Sequence, residues 1–121
     1  ASALGCNVGA IVKSLLFNVG DDFVLCLISG DKKCSLNKLK KILNKKDVSM
    51  ANPDDVKKIT GYTIGGVSPI GHLIKVNIFI DINLERFSSV FAAAGHPNCV
   101  FKINFDQLSK LTLGLVTDLV E

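Results

Sequence analysis

The apolar positions of this chain change period along its length, and each change marks a different element. Residues 11–17 read Ile-Val-Lys-Ser-Leu-Leu-Phe and residues 23–28 read Phe-Val-Leu-Cys-Leu-Ile. Short apolar runs bounded by turn residues fit buried strands, and the second run, apolar on both faces, fits a central one. Asn18, Val19, Gly20 and Asp21 lie between them as a turn, so the pair predicts a hairpin. The period then lengthens. Leu36, Leu39, Ile42 and Leu43 form one stripe with lysines opposite, and Ser35 precedes them as a cap, which predicts a helix over Leu36–Leu43. Val48, Ser49 and Met50 fit a short strand. Asn52, Pro53, Asp54 and Asp55 make a helix start: an Asn cap, Pro at the first helical position, then acids on the positive end of the dipole. That helix runs to Thr60, where Gly61 stops it.

Alternation returns further on. Val76, Ile78, Ile80 and Ile82 alternate with Asn77, Phe79 and Asp81, and residues 89–94 read as another strand. Gly95, His96, Pro97 and Asn98 make a turn. Cys99, Phe101, Ile103 and Phe105 share one face of the next strand, and Asp106 caps a final helix over residues 107–111. No repeat, low-complexity tract or domain boundary interrupts the 121 residues, so one domain is expected. Strands and helices intermix without regular βαβ alternation, which favours an α+β domain with a mixed sheet.

Composition narrows the class. The chain is 48% hydrophobic and 21% charged, which excludes disorder. No apolar run approaches the ~18 residues of a membrane span, and no signal-peptide pattern opens the chain. Net charge is +3. Lys32, Lys33, Lys38, Lys40, Lys41, Lys45 and Lys46 cluster, and the cluster reads either as a solvated helix face or as a phosphate-attracting patch. Cys6, Cys26, Cys34 and Cys99 include no C-x-x-C pair, so reduced thiols in the cytoplasm are expected. With His72 and His96 as the sole imidazoles, the spacing argues against a zinc site.

The chemistry concentrates in residues 61–71, Gly-Tyr-Thr-Ile-Gly-Gly-Val-Ser-Pro-Ile-Gly. The apolar residues among the glycines distinguish it from a linker. It predicts an ordered loop that turns sharply and presents main-chain N–H groups to a phosphate, a ribose or an ester carbonyl. The loop lacks the spacing of a nucleotide P-loop, and Ser68 lacks a nucleophile elbow. Lys13 is the anomaly of the first strand, either an edge lysine or a fixed cation for a ligand oxygen. His96 sits in a Gly-His-Pro-Asn turn that is either site material or a plain turn. A Cys99–His96 hydrolase is disfavoured, because Cys99 falls on the core face of its strand.

Taken together, Ala10-Ile11-Val12-Lys13-Ser14-Leu15, the Gly61-Tyr62 pair leading into Gly65-Gly66-Val67-Ser68-Pro69-Ile70-Gly71, Ile80-Asp81, and Ala94-Gly95-His96-Pro97-Asn98 resemble the YbaK-type aminoacyl-tRNA deacylases and the related editing domain of bacterial prolyl-tRNA synthetase. The resemblance runs from about Gly9 to the C-terminus. It implies a mixed, mostly antiparallel, barrel-like sheet packed with short helices, and a trans-editing hydrolase that removes a mischarged small amino acid from tRNA-Pro. It implies that Lys13, Gly65, Gly66, Ser68 and His96 serve the reaction. Gly65, Gly66, Val67, Ser68, Pro69, Gly71, Gly95, His96 and Pro97 would receive the terminal adenosine and aminoacyl ester. No metal or other cofactor is implied. The partners implied are aminoacyl-tRNA and prolyl-tRNA synthetase, with no membrane and no DNA. Lys38, Lys40 and Lys41 are the candidate tRNA-backbone contacts. An aminoacyl ester is already activated, so positioning and oxyanion stabilisation by amides supply much of the rate. The attacking group is left open between water assisted by a ribose hydroxyl and, for cysteinyl esters, the substrate thiol. Members of the family carry a longer segment before the lysine strand, so part of an N-terminal segment is expected to be lacking here. A non-catalytic module that binds the acceptor end or docks on a synthetase is the alternative, and a detached synthetase fragment is a third reading.

Overall fold

Two strands, β1 (Val12–Val19) and β2 (Asp22–Ser29), form the hairpin on which the chain is built. Val12 stands opposite Ser29 and Val19 opposite Asp22, which leaves Gly20 and Asp21 as the turn. The computed structural model describes residues 8–64, 66–96 and 99–121, with His96 by its backbone alone. On the far side of β1 lies the short antiparallel β3 (Val48–Met50). On the far side of β2 lie β4 (Asn77–Asp81) and then β7 (Leu115–Thr117), both parallel to their neighbours. The sheet order is therefore β3-β1-β2-β4-β7. A separate antiparallel pair, β5 (Val90–His96) and β6 (Cys99–Ile103), meets the main sheet at a parallel bridge between Ile11 and Phe91. The expected mixed α+β architecture is borne out. The barrel-like closure is not: the sheet is open, with β3 and β7 at its edges.

Alternation along the hairpin divides the molecule into two cores. Val12, Leu16, Leu25 and Leu27 face one core, completed by Val56, Ile59, Val67, Leu84, Val90, Ala92 and Leu108. Phe17, Val19, Val24, Cys26 and Ile28 face the other, with Leu39, Val48, Phe79, Leu119 and Val120. Leu25, Cys26, Leu27 and Ile28 are all wholly buried, as the two-sided apolar pattern of a central strand requires.

The helices follow their caps. α1 (Leu36–Leu43) begins where the Ser35 side chain accepts from the Lys38 amide at 3.2 Å. α2 (Pro53–Thr60) begins where Asn52 Oδ1 accepts from the Asp55 amide at 2.8 Å, and it ends at Gly61. α3 (Phe105–Thr112) corrects the expected boundary. Asn104, not Asp106, is the cap, accepting from the Gln107 amide at 2.8 Å while Gln107 Oε1 accepts from the Asn104 amide at 3.5 Å. This reciprocal capping box satisfies two helix-end donors at once, so it overrides the simple one-residue cap. Phe105 accordingly belongs to the helix. The β6 face is also corrected: Phe101 and Ile103 pack on the first core, but Cys99 is exposed because β6 runs beyond the core at that end. β4 stops at Asp81, and Ile82 enters a 3-10 turn, where it is exposed.

Polar ties hold the C-terminal segment. The buried Asp81 carboxylate accepts from the amides of Leu119 at 2.9 Å and Asn83 at 3.2 Å. Lys38 Nζ donates to Asp118 Oδ2 at 2.7 Å and to the Val120 carbonyl at 2.6 Å. The Lys38 hydrogen bond holds the Asp118 carboxyl below its ordinary range. Among the described residues, no helix is long and apolar enough to cross a membrane.

Two serines break the apolar rule on the first core's side of the hairpin. The hydroxyls of Ser14 and Ser29 are buried without a hydrogen-bond partner. An unpaired buried hydroxyl is a net cost, so Ser29→Ala is expected to stabilise the fold by about 1 kcal/mol. A urea titration measures it. A loss of stability instead would reveal a partner for that hydroxyl.

Candidate functional site

The glycine-rich loop is an ordered structure anchored on the end of α2. The Thr60 hydroxyl donates to the Val56 carbonyl at 2.6 Å and accepts from the Tyr62 amide at 3.1 Å. The far end of the loop returns to the same place: the Leu73 amide bonds the Thr60 carbonyl at 3.3 Å, and the Ile74 amide bonds the Ile59 carbonyl at 2.9 Å. Between these ties Gly66, Val67, Ser68 and Pro69 are buried. Val67 is 5% exposed and packs in the first core.

Tyr62 organises the loop from within. Its Oη donates to the Ile70 carbonyl at 2.8 Å. Its ring meets His72 edge-on, with centroids 6.1 Å apart. His72 in turn bonds the Ser68 carbonyl at 2.7 Å; a carbonyl can only accept, so Nε2 carries the proton. The two glycines nearest Tyr62 are there for lack of a side chain. Gly71 has φ +75°, and a Cβ on it would lie 2.7 Å from Tyr62 Oη. Gly95 has φ +91°, and its Cβ would lie 2.9 Å from Tyr62 Cε1. Tyr62 is thus clasped between the loop and the β5–β6 turn, and it brings Gly71 and Gly95 to one place.

The inside of the loop is unfinished as hydrogen bonding goes. Among the described residues, the amides of Val67 and Ser68 donate to no protein acceptor, although both residues are buried. Buried N–H groups are almost always paired, so such donors are suited to an anionic or carbonyl oxygen. The Ser68 hydroxyl accepts from the Ile70 amide at 3.4 Å and so braces the turn. A groove of about 630 Å³ runs from Pro69, Ile70, Gly71 and His72 towards Leu111 and Leu113.

Lys13 stands elsewhere. Its neighbours Val12 and Ser14 are on the first core's side of β1, but its own side chain is on the side of Phe17 and Cys26. It lies in a cleft of about 330 Å³ with Leu15, Phe17, Cys34, Met50 and Glu121, and its Nζ donates to the Lys32 carbonyl. This cleft and the loop groove share no lining residue. Among the described residues, then, the Lys13 cleft and the loop groove are separate, and alternation in β1 turns the lysine away from the core that holds Val67. Of the other expected site residues, Gly66, Val67, Ser68, Pro69, Gly71 and Gly95 come together. Gly65, Pro97 and Asn98 lie outside the described residues, as does the His96 side chain. Lys38 is committed to Asp118 and Val120, whereas Lys40 and Lys41 form no ion pair among the described residues.

A family model described as the aminoacyl-tRNA editing domain matches residues 1–111. The chain belongs to the aminoacyl-tRNA editing domain family. It is 32% identical to the Bacillus subtilis protein YwhH over 117 residues, covering 96% of this chain and 74% of that one. It is 30% identical over 116 residues to EbsC of Enterococcus faecalis, a proposed Cys-tRNA(Pro)/Cys-tRNA(Cys) deacylase, covering 94% of this chain and 70% of that one. The crystal structure of a proposed trans-editing enzyme for prolyl tRNA synthetase superposes with a TM-score of 0.96 at 36% identity, covering all of this chain and 76% of that one. The family and fold expected from the sequence are thereby borne out.

Tyr62 and His72 organise the loop, and neither was among the expected site residues, although Tyr62 stood in the motif. The available signal was an aromatic residue directly after a helix-stopping glycine, followed by a histidine directly after Gly71. Tyr62→Phe is expected to cost about 1 kcal/mol of stability through the lost Ile70 bond. It should also lower deacylation kcat/KM by roughly three- to tenfold as the loop loosens. Chemical denaturation and steady-state kinetics measure the two, and unchanged kinetics would detach Tyr62 from the site.

Proposed function

We propose that this chain acts as one trans-editing domain in the cytoplasm and hydrolyses the ester linking a mischarged small amino acid to tRNA-Pro. The observation that carries the reading is the buried loop whose Val67 and Ser68 amides meet no acceptor among the described residues, in a chain of the editing-domain family. The relation to EbsC and to a trans-editing enzyme for prolyl tRNA synthetase supports the substrate.

In this reading the two amides receive the ester carbonyl oxygen and hold its developing negative charge, while the groove beyond Pro69 orients the RNA terminus. Preorganised donors cost no reorganisation as the charge forms, which suits a substrate that is already activated. Gly65, Gly66, Ser68, Gly95, His96 and Pro97 serve this pocket in this reading, as the family resemblance implies. The nucleophile is a water beside the ribose hydroxyl or, on a cysteinyl ester, the substrate's thiol. A synthetase pocket for proline discriminates against smaller side chains by only about 1–3 kcal/mol per methylene, so a second sieve of this kind removes the errors.

Lys13 enters the reaction only if its ammonium leaves the Lys32 carbonyl and reaches round β1. Its role is then electrostatic. A panel of Ala-, Cys-, Ser- and Pro-tRNA tests the whole reading. Hydrolysis of at least one of the first three, with Pro-tRNA spared, is expected. No hydrolysis by folded protein would favour a binding module. Lys13→Ala is expected to abolish turnover and Lys13→Arg to retain part of it. Full turnover by Lys13→Ala would confine the chemistry to the loop.

The lysines of α1 are assigned to the tRNA backbone, with Lys40 and Lys41 better placed than the committed Lys38. Reversing both charges, Lys40→Glu with Lys41→Glu, is expected to weaken tRNA binding and flatten its salt dependence by roughly one unit of slope per lost phosphate contact. Filter binding at several salt concentrations measures it; an unchanged slope would return these lysines to ordinary solvated surface.

A further inference from the structure

A second reactive group lies on the opposite side of the hairpin from the loop. Cys26 is wholly buried on β2 and stands directly across from Leu15. Leu15 and Cys34 both line the Lys13 cleft, and Cys34 packs on the core cluster that contains Cys26. The Cys34 backbone is fixed by a bridge to Val120, and its neighbour Ser35 donates to the Leu119 carbonyl at 2.7 Å. The Cys26 and Cys34 side chains therefore meet within one cluster at the floor of the cleft. Their mutual interaction holds the Cys34 thiol below its ordinary value and, with burial, pushes Cys26 up. The Lys13 ammonium favours the Cys34 thiolate as well, against burial and the carboxylates of Asp81 and Glu121. Cys34 is half-buried at the cleft, so one sulfur of the pair is accessible and the other waits behind it.

We propose that Cys34 and Cys26 form a dithiol site that small hydroperoxides oxidise reversibly to a disulfide. The Cys34 thiolate attacks a peroxide oxygen; the S–O bond forms as the O–O bond breaks, and the departing oxygen leaves as water or an alcohol after taking a proton. The Cys26 sulfur then displaces the hydroxyl of the Cys34 sulfenic acid, forming S–S and breaking S–O. The Cys26 proton leaves with that hydroxyl as water. The two thiols supply the two electrons that reduce the peroxide, and an added dithiol reductant restores them.

The test uses the full chain carrying Cys6→Ser and Cys99→Ser, treated with one equivalent of hydrogen peroxide. The expected result is an intact-mass loss of two hydrogen atoms, a Cys26–Cys34 link in the non-reduced peptide map, and complete reversal by dithiothreitol. Adding Cys26→Ser is expected to abolish the link and to leave a sulfenic acid at Cys34 that dimedone traps. Circular dichroism establishes that each variant is folded. Folded protein that shows no mass loss, or no dimedone adduct in the Cys26→Ser variant, overturns the proposal. These readouts do not involve tRNA, so they stand apart from the editing reaction.

Discussion

Strand β1 is a wall with a different environment on each side, and period-two alternation decides which side every neighbour serves. Leu16 faces the core that holds Val67 of the glycine loop, while Phe17 faces the core that holds Cys26 and Leu39. A one-residue slip against β2 would exchange the two sets wholesale. The register from Val12 opposite Ser29 to Val19 opposite Asp22 forbids that slip, because both faces are buried and a two-residue turn closes the hairpin. Lys13 is the residue on which this constraint has its largest functional effect. It is three residues from the Leu16 side of the wall, yet it opens onto a different cleft from the loop.

The loop depends on a second constraint, the clasp around Tyr62. The ring needs room on both sides, and Gly71 and Gly95 provide it by having no Cβ. In return Tyr62 and His72 hold the Ile70 and Ser68 carbonyls by hydrogen bonds. Peptide units are planar, so fixing the Ser68 carbonyl restricts the adjoining backbone as well. The stretch from Gly66 to Pro69 is therefore shaped by side chains that never need to touch substrate. Its rigidity is what makes unbonded amides useful, since a mobile loop would turn them to other acceptors.

Local signals were the most legible part of the sequence. Ser35, Asn52 and Gly61 fix helix ends through bonds between near neighbours, and the helix bounds of α1 and α2 follow directly. Cys99 was misread because alternation gives a face, not the extent of the core that the face meets. Asp106 was misread because Asn104 and Gln107 satisfy each other, an exchange that a single-residue cap rule does not weigh. For the site, the motif gave the loop and the Gly95 turn, since both depend on backbone conformations that glycine announces. The place of Lys13 was not legible. Which face a strand residue opens onto is set by what packs there, and α1 and the C-terminal segment are remote in sequence from β1.

The two sides of the wall are nonetheless mechanically joined through β4. Its first residues, Asn77 and Ile78, line the groove that continues from the loop. Its last residue, Asp81, accepts from the Leu119 amide and so positions the segment that reaches Val120 and Glu121 beside Cys34 and Lys13. The strand lies between β2 and β7 and is hydrogen-bonded on both sides. One strand therefore both lines the groove at its start and places the C-terminal segment at its end. A buried carboxylate holding two amides fixes that segment more specifically than apolar packing, which can repack around a small displacement.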